Sequence, residues 1–189
     1  MNKLLGLILV VFAFPAVAAD FSYNFAQVGY QKVDIDGASD DADGLALSGS
    51  FEVGENVFIS AGYSQLDWDE FGFDTELDTL SVGVGYHVDI SDTLDFYGAL
   101  SAVRVDASVA GLGSTDESGF GASIGLRGMI GDSFELTGSI GYSDVGDFGD
   151  NTVFGAGMLY NVTDNFSVGF FVELDDDATG YGGGIRLYW

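Results

Sequence analysis

The sequence predicts an all-β fold, a transmembrane antiparallel up-and-down β-barrel of about ten strands, with eight as the alternative count. Three observations carry this. The chain combines a mean hydropathy of +0.26 and 14% aromatic residues with 30 acidic and only 5 basic side chains. A barrel reconciles these, because alternate strand residues face lipid while connections carry charge. Segments of roughly ten alternating residues recur along the chain, each closed by turn residues, as membrane strands require. Short and long connections then alternate in order, which makes the strand count even.

The start of the chain is a separate element. Met1-Asn2-Lys3 precedes an apolar run from Leu4 to Phe14, broken by Pro15 and followed by Ala16 to Ala19. A basic start, a short apolar run and small residues predict a cleaved secretory signal over residues 1–19, leaving 20–189 as one barrel domain. With no cysteine in the chain, closure of the sheet has to supply the stability that a disulfide could have given.

The predicted strands run Phe21 to Asp34, Gly44 to Val53, Val57 to Asp67, Glu76 to Val88 and Leu94 to Asp106. They continue with Ser118 to Ile130, Phe134 to Asp144, Thr152 to Val162, Phe166 to Leu174 and Thr179 to Trp189. The short connections are Gly54-Glu55-Asn56, Ser91-Asp92-Thr93, Gly131-Asp132-Ser133 and Thr163-Asp164-Asn165. The longer, more acidic ones run Ile35 to Asp43, Trp68 to Thr75, Ala107 to Glu117, Val145 to Asn151 and Asp175 to Ala178.

Facing follows from the period of two. In the fourth strand Leu80, Val82, Val84, Tyr86 and Val88 face lipid, leaving Ser81, Gly83, Gly85 and His87 inside. Phe134 to Tyr142 and Phe166 to Leu174 split as cleanly. Two strands resist. Phe21, Tyr23 and Phe25 share one face while Val28 and Tyr30 take the other, so a bulge is expected near Ala26-Gln27. In the fifth strand either Leu94, Phe96 and Leu100 or Tyr97, Ala99, Val103 and Val105 face lipid.

The last strand places Tyr181, Gly183, Ile185, Leu187 and Trp189 on the lipid side and ends the chain on an aromatic. With Gly182, Gly184, Leu187 and Trp189 in their spacing, the chain resembles the small Gram-negative outer-membrane β-barrel proteins with porin-like character. The resemblance implies an outer-membrane location with both termini periplasmic and the long connections outside. It also implies insertion by the barrel assembly machinery, which reads those four positions, Leu187 standing where an aromatic is common. Members of that group include adhesins, narrow pores and enzymes, so fold alone does not choose a function.

Inward charges are the first functional candidates. If Ile130 and Phe134 pair across their turn, Arg127 lies opposite Thr137 and diagonal to Glu135, within reach of an ion pair. Glu52, Glu173, Arg186 and His87 face inward on the same phase. A lumen filled by these paired groups is expected, with a charged constriction passing small solutes as the alternative. No enzyme is expected. His87 is the sole histidine, it falls at the periplasmic end, and no nucleophile or orienting acid is read beside it.

A net charge of −25 disfavours nucleic acid and anionic surfaces as partners. Outer-membrane lipid and lipopolysaccharide are the expected surroundings of a monomer. No resident cofactor is expected, although Asp40, Asp41 and Asp43, and likewise Asp175, Asp176 and Asp177, could meet Ca²⁺ or Mg²⁺ bridging to lipopolysaccharide phosphates. Solvated loop charge is the simpler reading of these acids, and Trp68, Phe71 and Phe73 offer a contact surface instead. A soluble periplasmic barrel is the remaining alternative for the fold.

Overall fold

In the computed structural model, residues 21–131 and 133–189 are described, so the predicted signal over 1–19 lies outside them. Among the described residues, ten strands form one closed antiparallel ring: β1 Phe25–Ile35, β2 Ala42–Glu52, β3 Val57–Glu70, β4 Phe73–Ser91, β5 Leu94–Val109, β6 Gly113–Ile130, β7 Phe134–Asp144, β8 Asp150–Thr163, β9 Phe166–Leu174 and β10 Ala178–Tyr188. Every strand pairs with its neighbours in sequence, and β1 closes on β10 from Phe25↔Tyr188 to Ile35↔Ala178. No strand edge is left open, the condition for a sheet whose backbone must be satisfied without water.

The outer face carries a continuous apolar belt. On β4 it runs Leu80, Val82, Val84, Tyr86, Val88 and Ile90, all exposed, and stops at Asp78. That length matches the roughly 9–11 tilted residues a membrane strand needs. The same border recurs around the ring. Tyr30 gives way to Lys32, Leu45 to Asp43, Tyr63 to Gln65, Ala102 to Arg104 and Tyr142 to Asp144. At the opposite end Phe51, Phe96, Phe134 and Trp189 project outward, the last 63% exposed.

Above the belt the barrel is lopsided. β4, β5 and β6 contain 19, 16 and 18 residues against 9 in β9, so their hairpins rise as a wall. The expected loop from Trp68 to Thr75 is in fact paired strand, joined by a two-residue turn at Phe71 (φ 53°) and Gly72 (φ 85°). Positive φ at both positions gives the twist that a tight hairpin needs. The expected loop from Ala107 to Glu117 likewise shrinks to 110–112. Beyond the lipid the outer face meets water, so the apolar outer stripe that signals a membrane strand disappears while the backbone pairing continues.

One further expectation is corrected and one open choice is decided. β1 pairs with both neighbours without a register shift, so there is no bulge at Ala26-Gln27. Phe21, Tyr23 and Phe25 simply point inward, each at most 8% exposed. In β5, Asp95, Tyr97, Val103 and Val105 are buried while Phe96, Leu100, Ala102 and Arg104 face out. In both strands large apolar side chains fill the lumen instead of meeting lipid.

The glycines explain how so narrow a barrel holds them. Phe58 is registered against Gly85, Tyr97 against Gly125, Leu159 against Gly169 and Phe171 against Gly182. A Cβ at Gly85 would stand 2.1 Å from the Phe58 ring, and one at Gly125 2.5 Å from that of Tyr97. These four lumen side chains thus pack over a cross-strand glycine. Gly182→Ala would place a methyl 2.4 Å from the Tyr30 carbonyl oxygen and 2.6 Å from the Phe171 ring. It is expected to destabilise the folded barrel by about 1–3 kcal/mol through overpacking, read as a lower urea midpoint in lipid vesicles.

Candidate functional site

Two layers of side chains pack inside the ring. The lower layer sits at the end bearing the short turns and the described termini. Residues 21–24 enter the barrel here, and Asn24 is latched to β2 by two bonds: its Nδ2 donates to Glu52 Oε2 (2.9 Å) and its Oδ1 accepts from the Glu52 backbone N–H (3.0 Å). This brings the Tyr23 ring onto Phe58 (4.6 Å between centroids) and His87 (4.1 Å), with its hydroxyl donating to Asp95 Oδ2 at 2.5 Å.

Arg127 anchors the layer. Ile130 and Phe134 pair across the β6–β7 turn, which sets Arg127 opposite Thr137 and Met129 opposite Glu135. The guanidinium donates from Nε to Glu135 Oε1 (2.8 Å) and from Nη2 to Oε2 (3.2 Å). Its carbon lies 4.7 Å from the Phe21 ring centroid and 4.9 Å from that of Tyr23. Two donors matching two carboxylate oxygens form a strong pair, and the aromatic faces take the remaining positive charge. Arg127, Glu135 and Asp95 are all 0% exposed.

Arg186 is partnered differently. Its Nε and Nη2 both donate to Gln27 Oε1, at 2.8 and 2.6 Å, and the guanidinium lies 4.2 Å from the Phe25 ring centroid. The arrangement places an amide and an aromatic ring beside the cation.

The upper layer is apolar. Val33, Ala42, Ala46, Leu66, Leu77, Val103, Val105, Val145, Phe171 and Ala178 form one buried cluster across the lumen, with Trp68 and Phe148 packed against it. Val145 is delivered from the β7–β8 connection, where a 3-10 turn over Gly146–Phe148 folds inward. Between the layers is a cavity of about 50 Å³, lined by Ser101, Ser123, Ser139, Gly155 and Glu173 among others. Glu173 Oε2 has no hydrogen-bond partner among the described residues.

Of the six inward charges expected, Glu52, His87, Arg127 and Glu135 meet in the lower layer, Arg186 lies nearby with Gln27, and Glu173 stands apart on the cavity. The absence of an acid beside His87 is corrected: Nε2 lies 3.5 Å from Glu52 Oε1 and Nδ1 3.5 Å from Asp95 Oδ2. Asp95, Tyr23, Phe58 and Tyr97 were missed. Asp95 shares the inner face with Tyr97, so its place could be read only by first choosing the face of β5, which the sequence leaves open.

The rim acids divide by location. Asp41 pairs with Lys32 at 2.7 Å and Asp43 accepts from the Tyr30 hydroxyl, while Asp40 Oδ1 takes the Asp41 backbone N–H at 3.0 Å. Asp175 accepts from the N–H groups of Asp177 (2.8 Å) and Ala178 (2.7 Å) and from Asn151 Nδ2 (3.1 Å), closing the β9–β10 turn. Asp176 and Asp177 are exposed at that turn. On the wall Arg104 bridges Asp106 (3.0 Å) and Asp116 (3.0 Å), while Glu76, beside Asp78, has its carboxyl raised above the usual range chiefly by that neighbouring charge. The top of β3 is capped by Ser39, whose hydroxyl donates to the Asp69 carbonyl (2.8 Å) and accepts from the Phe71 N–H (3.0 Å).

At the end of the chain Leu187 and Trp189 face outward, and Gly182 and Gly184 lie on the inner face against β1.

A closed ring of strands with an apolar belt outside and a packed lumen inside defines an integral outer-membrane β-barrel. The chain belongs to the family described as outer membrane protein beta-barrel domain, whose model matches residues 4–170. No curated protein matches it. Solved structures share the fold. The NanC porin is 8% identical, with a TM-score of 0.55 over 86% of this chain and 100% of its own. The translocator domain of the autotransporter NalP from Neisseria meningitidis is 14% identical, with a TM-score of 0.50 over 87% of both chains. Ail, the attachment invasion locus protein of Yersinia pestis, is 19% identical, with a TM-score of 0.47 over 87% of this chain and 97% of its own.

Proposed function

We propose that this barrel is a non-conducting, non-enzymatic protein of the outer membrane that serves as a structural or surface-interacting element through its tall acidic rim. The observation that carries the reading is the double closure of the lumen. A solute passing through would have to displace both the Tyr23 layer with its charge pairs and the apolar layer around Phe171 and Val105. Removing one layer alone leaves the other in place.

In this reading the short turns and both termini face the periplasm and the β3–β6 wall faces outward. The even strand number and the position of Tyr188 beside Phe25 support it. The protein is a monomer in lipid and lipopolysaccharide, since closure leaves no strand edge to share. Gly182, Gly184, Leu187 and Trp189 are read by the assembly machinery, the glycines also serving the packing of β1 and Phe171. Asp41, Asp43 and Asp175 hold the rim together through their internal partners. Asp40, Asp176 and Asp177 are the carboxylates better placed to meet Ca²⁺ or Mg²⁺ from the medium.

A narrow channel is the alternative, and the polar cavity with Glu173 is the observation in its favour. Liposome swelling separates the two. Vesicles carrying the folded protein are expected to swell in arabinose no faster than protein-free vesicles. Swelling that scales with protein content would overturn the sealed reading.

A further inference from the structure

At the lower end of the lumen His87, Asp89 and Asp95 each offer a ligand atom, and these atoms lie within 4.8 Å of one another. The backbone sets this up. His87 and Asp89 alternate onto one face of β4, and Asp95 is the registered partner of Asp89 across the β4–β5 hairpin. A second observation is independent of that clustering. Oδ1 of the fully buried Asp95 has no hydrogen-bond partner among the described residues, and Nδ1 of His87, which is 4% exposed, makes no hydrogen bond closer than its 3.5 Å approach to Asp95 Oδ2. Buried polar atoms are rarely left so, because each costs a desolvation penalty unless something binds it.

We propose that His87 Nδ1, Asp89 and Asp95 form a site for one divalent transition metal of the zinc class. Imidazole with two carboxylates suits Zn²⁺, or Cu²⁺ and Ni²⁺ by their affinity order, better than the all-oxygen shells of Ca²⁺ and Mg²⁺. Three protein ligands leave a fourth tetrahedral position for water. The outer partners are in place. Glu52 stands 3.5 Å from Nε2, on the side of the ring away from the metal, and the Tyr23 hydroxyl fixes Asp95 Oδ2. Such partners fix the tautomer and orientation of a ligating imidazole. The two ligating carboxylates balance the ion. Arg127 Nη1, 4.0 Å from Asp95 Oδ2, is already compensated by Glu135. Asp89 is exposed, giving the ion a path from solvent, and the site ties the β4–β5 hairpin through Asp95 to Tyr23.

The test uses the folded protein in detergent micelles, cleared of metal with a chelator and titrated with ZnCl₂ by calorimetry, then with Co²⁺ by visible absorption. One tight equivalent is expected, with Co²⁺ bands that His87→Ala abolishes. Asp89→Asn, at an exposed position outside the packed layer, is expected to weaken Zn²⁺ binding by at least the roughly 10–100-fold that even an outer-shell change costs. Asp147→Asn, exposed on the β7–β8 connection at the opposite end of the barrel, is expected to change nothing. Absence of a tight equivalent, or native affinity in Asp89→Asn, overturns the proposal. If His87→Ala fails to fold, Asp89→Asn decides.

Discussion

Arg127→Met is expected to destabilise the folded barrel by about 3–5 kcal/mol, the cost of leaving one member of a buried ion pair without its partner. Glu135 is fully buried, and its two oxygens accept the two guanidinium donors at 2.8 and 3.2 Å. Methionine keeps much of the volume against Phe21 and Tyr23 but leaves that carboxylate uncompensated. The double variant Arg127→Met/Glu135→Leu is expected to recover most of the loss, because replacing a whole buried pair with apolar side chains is often neutral. Urea titration in lipid vesicles, followed by the fluorescence of Trp68 and Trp189, measures both. A double variant as unstable as the single one would show that Arg127 acts chiefly through its aromatic and Asp95 contacts.

The second large effect concerns the outer face. Val84 lies mid-belt on β4, 52% exposed between Leu80 and Ile90. Val84→Arg is expected to cost about 2–4 kcal/mol, the penalty of a basic side chain at the bilayer midplane. Asp74→Lys, on the wall beyond the belt, is expected to cost about 0–1 kcal/mol, as charges near or beyond the interface do. The same urea titration distinguishes them. A soluble barrel would reverse the order, since an exposed valine facing water gains nothing from staying apolar. Equal stability of Val84→Arg and the native protein would therefore contradict the membrane belt.

Strand number, order and most of the facing were legible because lipid imposes a strict rule on one face. Phe134 to Tyr142 and Leu80 to Val88 show it without exception. The interior imposes a weaker rule. It accepts Ser81 and Gly83, but also Phe58, Tyr97 and Phe171 wherever a glycine lies across the strand pair. A periodic pattern cannot separate an aromatic that meets lipid from one that fills a lumen, so Phe21, Tyr23 and Phe25 suggested a bulge and β5 offered two faces. The candidate site suffered from the same ambiguity. Arg127 and Glu135 were legible because a hairpin turn fixed their diagonal. Asp95 was not, because its facing depended on the undecided strand, and with it went one of the two acids beside His87. The wall was hidden for a different reason: above the lipid the outer face meets water and carries Asp67, Asp69, Asp74 and Glu76, so the apolar outer stripe stops although Leu66 and Leu77 stay buried inside and the β3–β4 pairing runs unbroken to Glu70↔Phe73.

The central claim is that the lumen is sealed by two independent layers, and single-channel recording in planar lipid bilayers tests it most directly. The native protein is expected to insert without current steps, and to stay silent when the lower layer alone is loosened by Tyr23→Ala. Reproducible open steps from the native protein, or from Tyr23→Ala with the upper cluster intact, would contradict it.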